Sequence, residues 1–314
     1  MHRGVKSFIT TCALAAAIAP SVTLAGAYPT KPIQVIVPFA AGGQGDVFAR
    51  LIIKRIEELK LLPQPMVVVN VPGGGATIGI RKAQTAAPDG HTLLFIHQTL
   101  MTGELTGKLK FKYTAFEPIA ETNNSCLLTA TADGSGISSA KDWIHQAKVQ
   151  PKAMKEATLL GSAAFFTTEM MSKAAGIDIG YVNAGGGAER VASILGNHTK
   201  TAVLVAAPVA KNPKLHALVY YGNKRNAQLP DTPTAKELGY DVVSCLDNIW
   251  WAPAGVSPQV VDTLSKAFTS VMADKDLIES IEKKGQSVEV VTGSALKTRI
   301  ADIYARLSAV ATQH

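Results

Sequence analysis

Short apolar runs alternate with amphipathic segments along the first third of the chain. Residues 33–39 form an apolar run that predicts a buried strand, and residues 47–60 carry apolar side chains on one helical face. The alternation continues with a strand at 65–70, a helix at 77–86 and a strand at 92–97. Strands that alternate with helices predict a parallel sheet with helices on both faces. The loops after these strands should therefore lie along one edge, where such sheets bind ligands.

A second alternating series begins after a change of pattern near residues 120–132. It predicts strands at 126–130, 158–160, 179–182, 201–205 and 215–221, and helices at 139–149, 163–175 and 188–195. Later segments predict helices at 258–273, 277–284 and 296–309, with a strand at 287–291. If the chain crosses into a second α/β unit and returns near residues 241–251, it forms two lobes joined by two strands. We expect the first lobe to comprise residues 28–123 and 246–314, and the second residues 124–245. Such lobes close on a ligand about a hinge.

A turn of small residues follows the first predicted strand and precedes the first predicted helix. Its sequence, residues 38–46, is Pro-Phe-Ala-Ala-Gly-Gly-Gln-Gly-Asp. Backbone N–H groups can converge in such a turn, beside the positive end of the helix dipole, and bind an anion. No Lys-Ser or Lys-Thr pair follows the glycines, and the G-x-G-x-x-G spacing is absent, which argues against a nucleotide site. The turn is therefore predicted to bind a carboxylate, with an ordinary glycine turn as the alternative.

The N-terminal segment has the features of a secretory signal peptide. Arg3 and Lys6 precede an apolar stretch at 12–19, and small residues lead to Ala27, so cleavage is predicted before Tyr28. Cleavage would lower the formal net charge from +7 to +5. No later apolar run approaches the roughly 20 residues of a membrane span. The basic residues are scattered, which argues against nucleic-acid binding. We expect a periplasmic monomer.

The cysteines and histidines indicate no metal or redox centre. Cys126 and Cys245 would remain after cleavage, without a C-x-x-C pair or a histidine at ligand spacing. They could form a disulfide in an oxidising compartment or remain as buried thiols. The seven histidines are scattered along the chain. We therefore predict no metal and no cofactor.

Several segments together resemble the substrate-binding proteins of tripartite tricarboxylate transporters, also called the Bug family. The matching segments run in order over nearly the whole mature chain: residues 28–33, 37–43 with Asp46, 70–75, 87–94, 161–162, 229–234 with Glu237 and Gly239, and 252–255. The resemblance implies a type II "Venus flytrap" protein, each lobe a mostly parallel sheet flanked by helices. It further implies that the protein is not an enzyme but passes an organic carboxylate, mono- or dicarboxylate, to membrane permease subunits.

The resemblance also implies where the ligand's proximal carboxylate binds. In the family, two loops hold it through backbone amides, small hydroxyls and bridging waters. By position these loops contribute Phe39, Ala40, Ala41, Gly42, Gly43 and Asp46 from the first lobe, and Gly161, Ser162 and Ala163 from the second. Asp46 either caps its helix or contacts ligand or water. His97 and Gln98, at the end of the third strand, either contact the ligand or cap the strand. Asn183 completes the predicted set, and Trp250 and Trp251 either wall the cleft or pack at the hinge.

The second lobe departs from the family pattern. Residues 182–186 read Val-Asn-Ala-Gly-Gly where the family has a tyrosine and a basic residue, and Phe165 replaces a common histidine. These changes remove charge and aromatic rings from the side that grips the ligand's far end, so dicarboxylate specificity does not follow. An enzyme is the rival class, but Ser162 lies in no G-x-S-x-G motif and lacks the ordered partners of a nucleophile. A binding protein that reports to a signalling partner is the other alternative.

Overall fold

The computed structural model describes residues 1–2 and 28–311, so the predicted signal peptide lies, apart from its first two residues, outside the described residues. The strands are β1 (Ile33–Val37), β2 (Met66–Asn70), β3 (Thr92–Ile96), β4 (Phe116–Ala132), β5 (Lys155–Thr158), β6 (Gly180–Asn183), β7 (Thr201–Val205), β8 (Leu215–Tyr220), β9 (Cys245–Pro253) and β10 (Ser287–Thr292). The helices are α1 (Gln44–Glu58), α2 (Thr77–Gln84), α3 (Thr99–Leu105), α4 (Ala140–Val149), α5 (Ala163–Ala175), α6 (Gly187–Leu195), α7 (Ala206–Lys211), α8 (Pro258–Val271), α9 (Lys275–Glu282) and α10 (Gly293–Ala311).

Strand β4 passes through two sheets. In the first sheet the order is β2-β1-β3-β9-β4-β10, with β1 parallel to β2 and β3, and with β9 antiparallel to both β3 and β4. In the second sheet the later half of β4 pairs antiparallel with β7 and β8, and β7, β5 and β6 are parallel. The two sheets are the centres of two lobes, and β4 and β9 connect them. The predicted lobe boundaries stay a prediction.

The strand directions make the ligand-binding edges of the two sheets face each other. Strands β1, β2 and β3 run in the direction of β4, from the first lobe toward the second. Strands β5, β6 and β7 run against β4, from the second lobe toward the first. The carboxyl ends of both parallel sets therefore point at the space between the lobes, and so do the loops that follow β1, β3, β5 and β6.

Helices cover both faces of the first sheet. Helices α1, α8 and α9 pack on one face, while α2, α3 and α10 pack on the other. Both tryptophans at the return crossing are fully buried: Trp250 stacks on Phe268, and Trp251 donates from Nε1 to the Ile96 carbonyl at 3.3 Å. They pack in the first lobe's core, not on a cleft wall. Phe166 of α5 belongs to the same apolar cluster as the α3 and α10 side chains, so this cluster spans the two lobes.

The alternating elements were predicted nearly throughout, and the differences have physical causes. Strand β4 begins ten residues before its predicted start, because the polar run 121–125 that concealed it is buried at the strand crossing. Helices α3 and α7 were not predicted, since seven and six residues are too few to show helical periodicity. Ser139 caps α4 as expected, accepting from the Asp142 amide at 3.1 Å.

A disulfide joins the two connecting strands. Cys126 of β4 and Cys245 of β9 are paired residues in the sheet and are bonded, which resolves the two alternatives left by the sequence. The bond links positions 119 residues apart at the point where the chain passes between the lobes.

Candidate functional site

The loop after β1 leaves several amides without a partner. Gly42 has φ of +77°, a conformation that favours glycine, and its N–H donates to Asp46 Oδ2 at 2.9 Å. The Gly43 N–H donates to the Ala40 carbonyl at 3.1 Å. Within residues 28–311, the amides of Ala40 and Ala41 have no acceptor, and neither do those of the first three residues of α1, Gln44–Asp46. The free donors of this loop are therefore Ala40, Ala41 and the helix start, while the two predicted glycine amides are used internally.

Asp46 braces this loop. It is the third residue of α1, whose N-cap is Gly43, so of the two alternatives for Asp46 the N-cap role is excluded. Its carboxylate is 4% exposed and accepts from Gly42 N, from Arg50 Nε at 2.9 Å and from Asn70 Nδ2 at 3.0 Å. Burial alone would raise the pKa of this carboxyl, but those hydrogen bonds and the Arg50 charge lower it below its usual value. Asp46 is thus ionised and neutralised, and its contact with ligand stays a prediction.

The end of β3 supports the same loop. The Phe39 ring stacks on the His97 imidazole with centroids 5.5 Å apart, and Asn70 Nδ2 donates to the Phe39 carbonyl at 3.1 Å. Burial lowers the pKa of His97 to about 4, so the ring is neutral at pH 7. Gln98 is engaged with β9: its Nε2 donates to Asp247 Oδ2 at 3.1 Å, and its Oε1 accepts from the Asp247 amide at 3.3 Å. In this structure Gln98 therefore links β3 to the strand crossing.

The loop after β5 repeats the arrangement of the first loop. Gly161 also has φ of +77°, and Ser162 is the N-cap of α5, its Oγ accepting from Phe165 N at 3.4 Å. The Ser162 amide donates to the Leu159 carbonyl. Among the described residues, the amides of Gly161 and Ala163 have no acceptor. Asn183 Oδ1 lies 3.4 Å from the Leu160 amide and accepts its hydrogen bond, so Asn183 braces this loop from the neighbouring strand.

The two lobes touch at the second loop. Lys108, which follows α3 in the first lobe, donates from Nζ to the Leu160 carbonyl at 3.0 Å. A Cβ placed on Gly161 would lie 3.0 Å from Thr106 Cγ2 and 3.3 Å from Lys108 Nζ. Lys108 therefore places a positive charge beside the free Gly161 amide. Nothing in the sequence pattern distinguishes Lys108 from its neighbours Lys110 and Lys112, so the sequence analysis missed it.

A charge cluster with two buried carboxylates, Glu121 and Asp247, lies at the strand crossing. It consists of Glu121 on β4, Asp247 on β9, Glu289 on β10 and Arg299 on α10. Arg299 lies 3.1 Å from Glu121, 3.8 Å from Asp247 and 2.5 Å from Glu289, so three carboxylates share one guanidinium. Burial raises the pKa of Glu121 to about 8 and that of Asp247 to about 7, and the Arg299 charge opposes both shifts.

The same region borders a cavity of about 1500 Å³. Its lining includes Asp247, Glu289 and Arg299, but only Gln98 and Ala163 of the predicted site residues. The second loop borders this cavity through Ala163, but Gly42, Gly43 and Gly161 do not line it, and we place the candidate site at the loops. In residues 28–311, no helix is long and apolar enough to cross a membrane, and no group of three potential ligand side chains could hold a metal.

Comparison with known proteins shows which family this chain is similar to. A family model described as "Tripartite tricarboxylate transporter family receptor" matches residues 49–313. The chain belongs to this family. The family resemblance inferred from the sequence is thereby confirmed.

The sequences and structures of related proteins match nearly the full length of this chain. BugT of Bordetella pertussis is 29% identical over 321 residues, which covers 96% of this chain and 94% of BugT. A TctC solute-binding protein from Polaromonas, 24% identical, has a TM-score of 0.77 over 91% of this chain and 100% of its own. MatC from Rhodopseudomonas palustris, solved with bound malate, is 22% identical with a TM-score of 0.76 over 90% of this chain and 100% of its own. The predicted two-lobed fold of periplasmic binding proteins is confirmed.

Proposed function

We propose that this protein is a periplasmic receptor that captures a small organic carboxylate between its two lobes. The observation that carries the proposal is the pair of loops at the facing sheet edges. Each has a glycine at φ of +77° two residues before a helix start, and each presents amides without an acceptor in residues 28–311. Amides at helix starts bind anions well, because their N–H groups and the helix dipole both favour negative charge.

The loops suit reversible capture. Neutral amides can bind a carboxylate by charge-assisted hydrogen bonds. No positively charged side chain then has to be buried against the ligand. Lys108 adds one partly hydrated positive charge at the second loop. When the lobes separate by bending at β4 and β9, the ligand loses the donors of one loop and is released. We propose residues 28–123 and 246–314 as one moving body and 124–245 as the other.

Membership of the receptor family supports this proposal, as does malate bound to MatC. We further propose that the loaded protein acts as a monomer and delivers its ligand to membrane permease subunits of a tripartite transporter. A catalytic role for Ser162 is not favoured, since its Oγ accepts from the α5 start at the helix cap. A sensor role uses the same closing motion and is separated from transport only by experiment.

A thermal-shift screen of the purified mature protein against mono-, di- and tricarboxylates tests the proposal. A ligand that binds only the folded state raises the melting temperature by mass action. A clear rise with one class of carboxylate is expected, and no rise with any carboxylate, in folded protein stripped of co-purified ligand, would contradict capture. Radiotracer uptake of that ligand is then measured in a strain that lacks the protein. Uptake falls if the protein serves transport and stays unchanged if it serves sensing.

A further inference from the structure

The loop after β6 lies directly beside the second anion-binding loop. Strands β5 and β6 are parallel with Thr158 opposite Asn183, and the Ala184 amide donates to the Thr158 carbonyl at 2.7 Å. Residues 184–187 therefore extend from the same sheet edge as Leu160 and Gly161, toward the first lobe.

Glu189 places a carboxylate on this neighbouring loop. It is in the first turn of α6, whose N-cap is Gly186, and a Cβ placed on Gly185 would lie 3.1 Å from Glu189 Cδ. Among the described residues no Lys, Arg or His lies within 4 Å of this carboxylate. The adjacent Arg190 instead donates to the backbone carbonyls of Gly186 and Val203. The Glu189 carboxylate thus has no ion-pair partner within 4 Å among the described residues and interacts with the Arg190 charge only at longer range, whereas at the start of α1 Arg50 pairs with Asp46.

The rest of the edge is apolar or neutral. Segments 38–46, 97–99, 159–165 and 182–189 contain two acidic residues and no lysine or arginine. Lys108 reaches the edge from outside these segments, at Leu160. Leu160 and Val182, at the ends of adjacent strands, are 45% and 39% exposed, and Phe39 stacks on a neutral His97. This edge offers donors and one cation for a single carboxylate, and apolar surface for the rest of a ligand.

We propose that the ligand is a monocarboxylate with an apolar body, and that Glu189 is a specificity-determining residue that excludes a second carboxylate. The inference rests on the proposed function, since it assumes that the carboxylate binds at the two glycine loops. A second carboxylate directed along the second-lobe edge would meet the Glu189 carboxylate, and like charges repel. An apolar body would instead remove the Leu160 and Val182 side chains from water.

Matched acid pairs test this directly: butyrate with succinate, hexanoate with adipate, and benzoate with terephthalate. Binding is measured by titration calorimetry at pH 7 and low salt, for wild type, Glu189→Gln and the control Glu57→Gln. Glu57 is an exposed helix glutamate without a salt bridge in the described part of the chain. We expect wild type to bind at least one monoacid about tenfold or more tighter than its diacid partner. We expect Glu189→Gln to tighten diacid binding about three- to tenfold, because it removes one like charge from a partly hydrated edge, with the monoacid unchanged.

The outcomes separate the inference from the function beneath it. Diacids that bind wild type as tightly as monoacids would overturn the ligand class while supporting carboxylate capture. A monoacid preference that Glu189→Gln does not reduce, or that Glu57→Gln reduces equally, would overturn the role of Glu189. The absence of binding by every acid would contradict the proposed function as well.

Discussion

Glu121 is predicted to make folding stability fall as pH rises above about 5. Its side chain is fully buried, and it shares the Arg299 guanidinium with Asp247 and Glu289. Burial raises the pKa of Glu121 to about 8, whereas an unfolded glutamate titrates near 4.3. Between those values the native state keeps a proton that the unfolded state has lost. The free energy of unfolding therefore decreases as the pH rises across this window. Above about pH 8 the stabilising contribution of the Glu121 proton is fully lost.

Each retained proton changes the free energy of unfolding by about 1.4 kcal/mol per pH unit. Glu121→Gln removes one titrating group while keeping the size and the hydrogen-bonding capacity of the protonated acid. The variant's stability should therefore fall less steeply, by up to about 1.4 kcal/mol per unit between pH 5 and 7, a difference of about 3 kcal/mol over that range. Since Asp247 titrates in the same window, with a pKa raised to about 7, some slope remains in the variant.

Urea unfolding at pH 5, 6 and 7, with the disulfide intact, measures these slopes. Comparison of slopes cancels contributions common to both proteins, including that of His97, which works in the opposite direction because its pKa is lowered. Glu57→Gln, on an exposed helix face, should have the wild-type slope. Parallel lines for wild type and Glu121→Gln would refute the conclusion that burial keeps Glu121 protonated.

Three further predictions concern the loops and the lobe contact. Gly43→Val would place its Cβ 3.0 Å from a backbone carbonyl of its own loop. Carboxylate affinity measured by calorimetry should therefore fall at least about tenfold, while the circular dichroism spectrum stays native. Undiminished affinity would exclude this loop as the binding site. Replacing Cys126 and Cys245 together by serine should lower the free energy of unfolding by about 2–5 kcal/mol, and an unchanged urea midpoint would contradict this. Lys108→Met removes one of the hydrogen bonds between the lobes, the one to Leu160 beside the second loop. Small-angle scattering should therefore give a larger radius of gyration than for wild type or the control Lys110→Met, whereas equal radii would show that Lys108 does not hold the lobes together.

The fold could be predicted because most elements carry their own pattern. Apolar runs followed by amphipathic helices identify β1 with α1 and β5 with α5, and the strand directions follow from that alternation. The strand crossing could not be predicted fully. The polar run 121–125 looks like a loop in the sequence, yet it is buried because Arg299, Gln286 and neighbouring strands supply its partners from far along the chain. Such long-range compensation leaves no local signal.

The sequence predicts where the candidate loops lie better than it predicts what their side chains contact. The loops lie at the expected edges, but Asp46, Gln98 and Asn183 are engaged with other protein groups, which only the assembled sheet reveals. The donors without acceptors are backbone amides. Because these groups do not depend on the side chain, the sequence does not show which of them are free. Lys108 acts from a neighbouring segment through a single contact to Leu160, so no motif records it.

The most direct test of the account is a crystal structure of the mature protein with the carboxylate that stabilises it most. We predict carboxylate density between the loops, with its oxygens within hydrogen-bond distance of amides that have no acceptor in the described residues: Ala40, Ala41, Gln44, Gly45, Gly161 and Ala163. Density in the cavity bordered by Arg299 and Asp247, with the two loops unoccupied, would contradict the central claim that these loops bind the ligand.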